Sequence, residues 1–150
     1  MNVGTICTRT VSVIDGNTTV KDAAHRMRLD HVGDLVLVED HAGRLLPSGI
    51  LTDRDIVVGI VAHGLEELDR QVVRDVITRP LVTARADEDS MVVAKRMREN
   101  GVRRVPVVDE HGELVGILSV DDLLGALHAE LEQLTRLVTH QRELEESFRP

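Results

Sequence analysis

A helical stripe of apolar residues is the first clear pattern in the chain. Apolar side chains recur at i, i+3, i+4 and i+7, which places them on one face of a helix: Val20, Ala23, Ala24 and Met27. Thr18 or Thr19 stands directly before this stripe, where a hydroxyl oxygen can accept a hydrogen bond from a free backbone N–H. We therefore predict a helix that begins near residue 19 and buries one face.

Short, mainly apolar segments precede and follow this helix. One occupies residues 11–14, and two more, rich in valine, isoleucine and leucine, occupy residues 35–38 and 45–51. Short apolar runs bounded by polar turns indicate buried strands, and Pro47 is expected in a bulge. A second helix is predicted from Thr52 to Gly64, where glycine ends it. The predicted order is β-α-β-β-α.

The second half of the chain repeats this order. An offset of 70 aligns residues 3–9 with 73–79, and an offset of 67 aligns the segment from Gly49 with the segment from Gly116. The difference reflects three extra residues in the turns of the first copy. In the second copy we predict strands at 81–84, 105–109 and 114–118, a helix capped by Asp87 or Asp89, and a last helix from Ser119. Two tandem copies of one supersecondary unit explain these matches.

The last helix departs from the repeat because no glycine after Gly125 and no proline before Pro150 interrupts it. Its apolar residues follow spacings of three and four: Leu124, Leu127, Leu131, Leu134 and Val138. Such a stripe is a seam for a partner helix. A helix of roughly 25 residues would be ~37 Å long, more than a compact domain of this size needs. The seam can pack on its own domain or on a second subunit, and we favour the subunit.

Composition and charge limit the function. The net charge is −8 and Phe148 is the one aromatic residue, which disfavours nucleic acid as a partner. No apolar run approaches ~18 residues and the start resembles no secretory signal, so no membrane span and a cytoplasmic location are expected.

Cys7 aligns with Ile77 and is expected to be a core residue. The seven histidines show no zinc-site spacing, so no metal is predicted, and no nucleophile system or catalysis is predicted.

One motif occurs in both copies at the junction of the last strand and the following helix. A hydroxyl residue is followed three positions later by an aspartate, as Thr52 with Asp55 and as Ser119 with Asp122. This spacing is that of a helix capping box, which needs no ligand. The same groups also suit a nucleotide, because a helix N-terminus attracts phosphate and a carboxylate accepts from two ribose hydroxyls. Both interpretations stay open.

Together these segments resemble the CBS domain family. The resemblance rests on the two glycine-to-aspartate motifs, on Val102-Arg103-Arg104-Val105-Pro106-Val107-Val108-Asp109 and on the lead-in at 73–80. It implies a mixed α/β (α+β) fold of two tandem β-α-β-β-α CBS repeats related by a pseudo-twofold axis, plus an extended C-terminal amphipathic helix. We expect repeat 1 at residues 1–64, a connector at 65–72, repeat 2 at 73–128 and the helical extension at 129–150.

The family resemblance also implies two adenosine-ligand clefts between the repeats. By motif position, one would use Thr52 and Asp55 with Thr8 and the main chain near Leu35. The other would use Ser119 and Asp122 with Thr78, Arg104 and the main chain of Val105 and Pro106. Arg103-Arg104 in the second copy replaces Gly33-Asp34 in the first, so the Ser119 cleft is expected to attract phosphate better.

The resemblance thus implies a regulatory, non-catalytic module that binds AMP, ADP, ATP, S-adenosylmethionine or NAD and signals by a change of conformation. No cofactor beyond such a ligand is expected. A homodimer is predicted, with an unidentified protein effector. The alternative is a ligand-free dimeric scaffold that recruits a partner through its C-terminal helix.

Overall fold

The computed structural model describes residues 1–64 and 68–148. Part of the predicted connector, residues 65–67, and the last two residues of the predicted extension lie outside the described residues. No helix in the described ranges combines the length and the apolar content needed to cross a bilayer.

The first half of the chain forms a three-stranded sheet with helices on it. Its elements in order are α1 (Val3–Ile6), β1 (Val13–Ile14), α2 (Val20–Asp30), β2 (Asp34–His41), β3 (Arg44–Thr52), α3 (Asp53–Gly59) and a 3₁₀ turn (Val61–His63). Strand β1 runs parallel to β2, and β2 runs antiparallel to β3. We call this sheet with α2 and α3 the first unit.

The second half repeats the arrangement. Its elements are α4 (Val73–Val76), β4 (Ala84–Arg85), α5 (Ser90–Glu99), β5 (Arg104–Val108), β6 (Leu114–Ser119) and α6 (Val120–Phe148). The strand order β4-β5-β6 and the strand directions match those of the first sheet. This sheet, with α5 and the start of α6, is the second unit, so the predicted tandem fold is confirmed.

The helix starts resolve the alternatives left by the sequence. The Thr19 hydroxyl accepts from the Asp22 N–H at 3.1 Å and caps α2. Asp89, and not Asp87, caps α5 by accepting from the Met91 N–H at 3.0 Å. A short polar side chain at the cap satisfies one backbone donor that the helix cannot.

Two predicted elements were misplaced. Strand β4 occupies Ala84–Arg85 instead of 81–84, because only this part of the run pairs with β5. Helix α3 ends at Gly59 instead of Gly64. Its end is rich in β-branched residues followed by glycine, which are weak helix formers, and the chain tightens there into a 3₁₀ turn.

The β2–β3 hairpin contains a bulge, but at Ser48 and not at the predicted Pro47. The three extra residues of the first copy lie at the end of the hairpin, where eight residues separate Val38 from Pro47 and five separate Val108 from Leu114. Leu37 pairs with Gly49 and Val38 pairs with Pro47, so Ser48 is the additional residue on β3. In the second unit Val107 pairs with Gly116 and Val108 with Leu114, which leaves Val115 in the corresponding place. Ser48 and Val115 are therefore equivalent.

The two lead-in helices cross between the units. Val3 of α1 is fully buried in the core of the second unit, and Val73 of α4 is fully buried in the core of the first. The Thr8 N–H and carbonyl exchange hydrogen bonds of 2.9 Å with Ile117 of β6. Each half of the sequence therefore completes the core of the other half.

Helix α6 is anchored only at its beginning. Leu123 is buried in the second core, and the first turns of α6 contact α1, α5 and β6. From Leu127 to Phe148 every residue is exposed, including Leu131 at 63% and Phe148 at 80%. The apolar seam is thus not covered by the described part of its own chain.

Candidate functional site

The motif of the second unit forms a closed set of hydrogen bonds at the start of α6. Asp122 Oδ2 accepts from the Ser119 N–H at 2.7 Å and from the Ser119 hydroxyl at 2.6 Å. The Ser119 oxygen accepts from the Asp122 N–H at 3.1 Å. The second carboxylate oxygen, Oδ1, lies 3.4 Å from the Thr8 hydroxyl, a long contact.

The motif of the first unit has the same geometry. Asp55 Oδ2 accepts from the Thr52 N–H at 2.9 Å and from the Thr52 hydroxyl at 2.7 Å, and the hydroxyl oxygen accepts from the Asp55 N–H at 3.1 Å. Within residues 1–64 and 68–148 the structure gives Asp55 Oδ1 no hydrogen-bond partner.

Both motifs are therefore capping boxes, and both keep acceptor capacity. The cap uses one oxygen of each carboxylate, Oδ2 of Asp55 and Oδ2 of Asp122. The other oxygen is either unpaired or held only weakly by Thr8. A half-buried carboxylate with a spare oxygen can accept from a ligand hydroxyl without breaking the helix cap.

The predicted grouping of the lead-in threonines was wrong. Thr8 was expected beside Thr52 and Asp55, but it contacts Asp122 and pairs with Ile117. Ile77 packs against Gly49 and the first core, so Thr78, the next residue, lies on the side of the first unit. Because each lead-in helix packs on the unit formed by the other half of the chain, Thr8 lies with the second unit and Thr78 with the first.

Asp34 and Arg104 are the residues expected to make the Ser119 cleft the better site for phosphate, and that preference stays a prediction. The two residues lie 70 positions apart, at equivalent points of the repeats, and they form an ion pair with each other. The side chain of Asp34 is 11% exposed and that of Arg104 is 35% exposed. Asp34 pairs in register with Thr52, and Arg104 with Ser119. The ion pair therefore joins the strand ends that lie beside the two motifs.

A signal for this contact was present in the sequence. Residues at equivalent positions meet each other when they lie on the axis that relates two repeats. Opposite charges at equivalent positions, as in Asp34 and Arg104, are what a pair across such an axis requires. The sequence interpretation instead assigned each residue to a separate cleft.

The remaining candidates lie inside the sheets. Leu35, Val105 and Pro106 are buried, with side chains packed in the strands. They can offer a ligand only main-chain groups, as the sequence predicted, and that role stays a prediction. Nearby, the Gly33 and Arg103 carbonyls each accept an N–H from the start of the following helix, from Asp53 and Val120.

Comparison with known proteins identifies the family. The family model for the CBS domain matches residues 3–62 and 73–129, most of the chain and both halves. The chain belongs to the CBS domain family. The matched ranges correspond to the two repeats and leave the C-terminal part of α6 outside.

Curated relatives of this chain include an uncharacterised protein and a CBS domain-containing protein. An uncharacterised protein from Methanopyrus kandleri is 32% identical over 124 residues, which cover 83% of this chain and 61% of that protein. The CBS domain-containing protein YhcV of Bacillus subtilis is 33% identical over 116 residues, 77% of this chain and 78% of YhcV. The aligned part is thus less than two thirds of the Methanopyrus protein.

A solved CBS domain protein from Pyrobaculum aerophilum, complexed with AMP, resembles the chain in three dimensions. It is 28% identical with a TM-score of 0.73, over 82% of this chain and 90% of that one. Hypoxic Response Protein I, solved with two coordinated zinc ions, is 31% identical with a TM-score of 0.70, over 83% and 97%. In the described part of this chain no three His, Cys, Asp or Glu residues come together as metal ligands.

Proposed function

We propose that the protein is a regulatory module that binds an adenosine nucleotide between its two repeats. The observation that carries the proposal is the spare carboxylate oxygen in each capping box, which in the second unit lies 3.4 Å from the hydroxyl of Thr8, a residue of the lead-in from the other half of the chain. The similar Pyrobaculum protein, which was solved with AMP, supports AMP as the first candidate. ADP, ATP, S-adenosylmethionine and NAD are further candidates.

The proposed contacts follow from the chemistry of the site. Asp122 Oδ1 and the Thr8 hydroxyl would bind ribose hydroxyls, and Asp55 with Thr78 would do so in the second cleft. The Asp121 N–H at the start of α6 would face the phosphate, because the N–H groups of Val120 and Asp122 already donate to Arg103 and Ser119. The Ser119 hydroxyl would join it by turning away from Asp122. With Phe148 the one aromatic residue of the chain, adenine would lie among aliphatic side chains and bind main-chain groups.

We place the signal in the ion pair between Asp34 and Arg104. This pair joins the units in the structure described here. A ligand phosphate would compete with the Asp34 carboxylate for the Arg104 guanidinium, since both are oxyanions of similar geometry. A ligand shifts a conformational equilibrium only through its different affinity for the two states. Loss of the Asp34 contact on binding would provide that difference.

The test is a binding titration of AMP, ADP, ATP, NAD and S-adenosylmethionine, followed by calorimetry and thermal unfolding. A ligand at about 100 times its Kd is expected to stabilise the folded protein by about 2.7 kcal/mol. Asp122→Asn removes the negative charge but keeps an amide oxygen for the cap, so it should weaken binding at least tenfold while leaving the fold intact.

The matched control for Asp122→Asn is Asp121→Asn. Asp121 is the neighbouring exposed acid at the same helix start and takes no part in the capping box. It should leave affinity unchanged. Equal effects of the two substitutions would assign the result to general charge, and an absence of binding by any of the five ligands would refute the sensor.

A second function is supported by the exposed face of α6. Seven apolar residues along it are between 38% and 80% exposed: Leu127, Leu131, Leu134, Leu137, Val138, Leu144 and Phe148. Their spacing follows a heptad, and an isolated helix with such a face is unstable in water. We propose that the protein is a homodimer and that α6 either forms its interface or recruits an effector.

Light scattering during size-exclusion chromatography tests this interface. Leu131→Glu combined with Leu134→Glu should convert a dimer to a monomer if α6 forms the contact, because each substitution buries a charge in the seam. Gln133→Glu, on the opposite face of the same helix, is the control and should remain dimeric. A wild-type monomer at micromolar concentration would rule out the homodimer.

A further inference from the structure

A cavity of about 540 Å³ opens at the outer end of the first unit. It lies away from the capping boxes, because β2 runs from Asp34 at the ion pair to Glu39 at the cavity, a distance of roughly 16 Å for an extended strand. Its volume is within the range of small-molecule sites. Its wall includes β2, the bulge residue Ser48, and the crossing segment from Arg74 to Leu81.

The equivalent place in the second unit is filled by an arginine. Arg9 Nη2 donates to the Gly4 carbonyl at 2.6 Å, and Nη1 donates to the Val115 carbonyl at 3.3 Å. The guanidinium thus binds the lead-in helix to the strand β6 and closes the gap between them.

The first unit carries the corresponding arginine but does not use it in this way. Arg79 is equivalent to Arg9, Arg74 to Gly4, and Ser48 to Val115, and all three residues of the first unit line the cavity. The Arg74 side chain lies close to Gly16, where an added Cβ would meet its Nε at 3.3 Å. The second unit has glycine at position 4 and Ala86 in place of Gly16. A long side chain thus occupies the first unit where the second has none.

Neither cavity arginine has a side-chain partner in the part of the chain that the structure describes. The two acids in the wall do have partners. Asp15 accepts from the Asn17 N–H at 2.7 Å, and Glu39 lies 3.3 Å from His41 Nε2. Asp15 and Glu39 keep their negative charge, but among the described residues the two guanidiniums are the charged groups of this wall without a hydrogen-bond partner. Guanidiniums bind carboxylate and phosphate groups through paired N–H donors.

The rest of the wall is mainly apolar. Its aliphatic residues come from β2 and from the crossing segment: Leu37, Val38, Ile77, Pro80 and Leu81. A pocket with an apolar wall and a few convergent polar groups selects a ligand with an apolar body and one charged end. The acids in the wall disfavour ligands with several negative charges.

We propose that this cavity is a second binding site, independent of the clefts between the repeats, for a small organic anion. The anion is a carboxylate or a phosphate monoester on an apolar body. Arg74 and Arg79 hold the charged group, and the aliphatic wall holds the body. The second unit has no such site because Arg9 closes it.

Amide chemical shifts of the full chain, measured during titration with hexanoate and with phenyl phosphate, test the proposal. Both probes should move the signals of Leu37, Val38, Arg79 and Leu81, with millimolar affinity. Hexanamide and benzyl alcohol have similar bodies without charge and should move none of them. The two anions distinguish a carboxylate site from a phosphate site.

Four variants test whether the shifted signals report on the cavity. Arg74→Gln and Arg79→Gln should each weaken binding of the anions at least tenfold. Arg9→Gln, the same substitution at the equivalent position of the second unit, should leave their affinity unchanged. Arg74→Gly recreates the second unit's arrangement, lets Arg79 reach the carbonyls at positions 74 and 48, and should abolish binding without loss of stability.

The proposal fails if neither anion moves these signals at high millimolar concentration. It also fails if binding survives in the Arg74→Gln/Arg79→Gln double variant. Shifts confined to Thr52, Asp55, Ser119 and Asp122 would place the anions in the nucleotide clefts and would likewise overturn it. None of these outcomes would refute AMP binding, which is proposed to depend on other residues.

Discussion

The two units have the same strand order, but equivalent polar side chains form different hydrogen bonds in them. In the second unit Arg96 donates to the Thr83 carbonyl at 2.9 Å and binds Glu88 through both terminal nitrogens. The equivalent Arg26 of the first unit lies on the surface and pairs with Asp30, one turn away on the same helix.

The equivalent residues Arg9 and Arg79 show the same difference. Arg9 donates to two main-chain carbonyls, and Arg79 lines an open cavity. The second unit is thus the more tightly constrained of the two. In the first unit the Arg74 and Arg79 side chains have no hydrogen-bond partner among the described residues, so their donors remain available for the proposed second ligand.

The largest expected difference between the units concerns a pair of equivalent glycines. A Cβ at Gly116 would meet the Cys7 Sγ at 2.8 Å and the Thr8 carbonyl at 2.9 Å, whereas the tightest contact of a Cβ at Gly49 would be the end of the Ile77 side chain at 3.2 Å. Gly116→Ala should cost about 3 kcal/mol of unfolding free energy, and Gly49→Ala less than about 1 kcal/mol. Urea denaturation measures both, and equal losses would contradict the comparison.

The next largest effect concerns the contact between the units. Asp34→Asn leaves the half-buried Arg104 without its carboxylate and should cost about 2 kcal/mol. The double variant Asp34→Asn/Arg104→Gln should cost less than the sum of the two single variants. If phosphate competes with Asp34, Asp34→Asn should also raise the affinity for AMP relative to adenosine. If the ratio of AMP affinity to adenosine affinity is unchanged in Asp34→Asn, Asp34 does not compete with the phosphate.

A smaller effect is expected at Arg96. Its hydrogen bond lowers the pKa of Glu88, so the pair stabilises the fold at neutral pH, and this contribution is lost as the pH falls below about 4. Arg96→Gln should cost about 1 kcal/mol at pH 7, since both groups are partly solvated. It should also flatten the fall in stability on acidification.

The control for Arg96→Gln is Arg26→Gln, at the equivalent position of the first unit, which should change stability less. A larger loss in Arg26→Gln would show that burial of the arginine does not decide the contribution. Thermal unfolding at several pH values between neutral and acid distinguishes the two results.

The smallest expected effect compares the lead-in arginines. Arg9→Gln removes two hydrogen bonds to main-chain carbonyls near the surface and should cost about 0.5–1 kcal/mol. Arg79→Gln removes none in the described structure and should leave the free energy of unfolding unchanged. A loss in Arg79→Gln as large as in Arg9→Gln would indicate that Arg79 is bound in solution.

Most of the fold was predictable because each sequence pattern that indicates a helix or a strand occurs twice. Helix α2 and helix α5 share an apolar stripe, a cap and a length, so evidence weak in one copy is strengthened by the other. The errors occurred where local propensity and pairing compete, as in β4 and at the end of α3. Which part of an apolar run pairs depends on the neighbouring strand, and a single sequence does not show that strand's position.

The candidate site was predictable only within each repeat. The hydrogen bonds between Ser119 and Asp122 depend on residues three apart, and the sequence gives that spacing directly. The positions of Thr8 and Arg104 depend on how the two repeats meet. An offset in the sequence shows that Thr8 and Thr78 are equivalent, but it does not show which unit each one contacts.

The exchange of α1 and α4 has a consequence for folding. A chain cut in the connector gives two fragments, and each fragment lacks a helix that fills its own core: Val73 for the first and Val3 for the second. Neither half is then a complete domain, and unfolding of the whole chain should follow one cooperative transition. The sequence repeats every seventy residues, but the smallest unit able to fold is the pair.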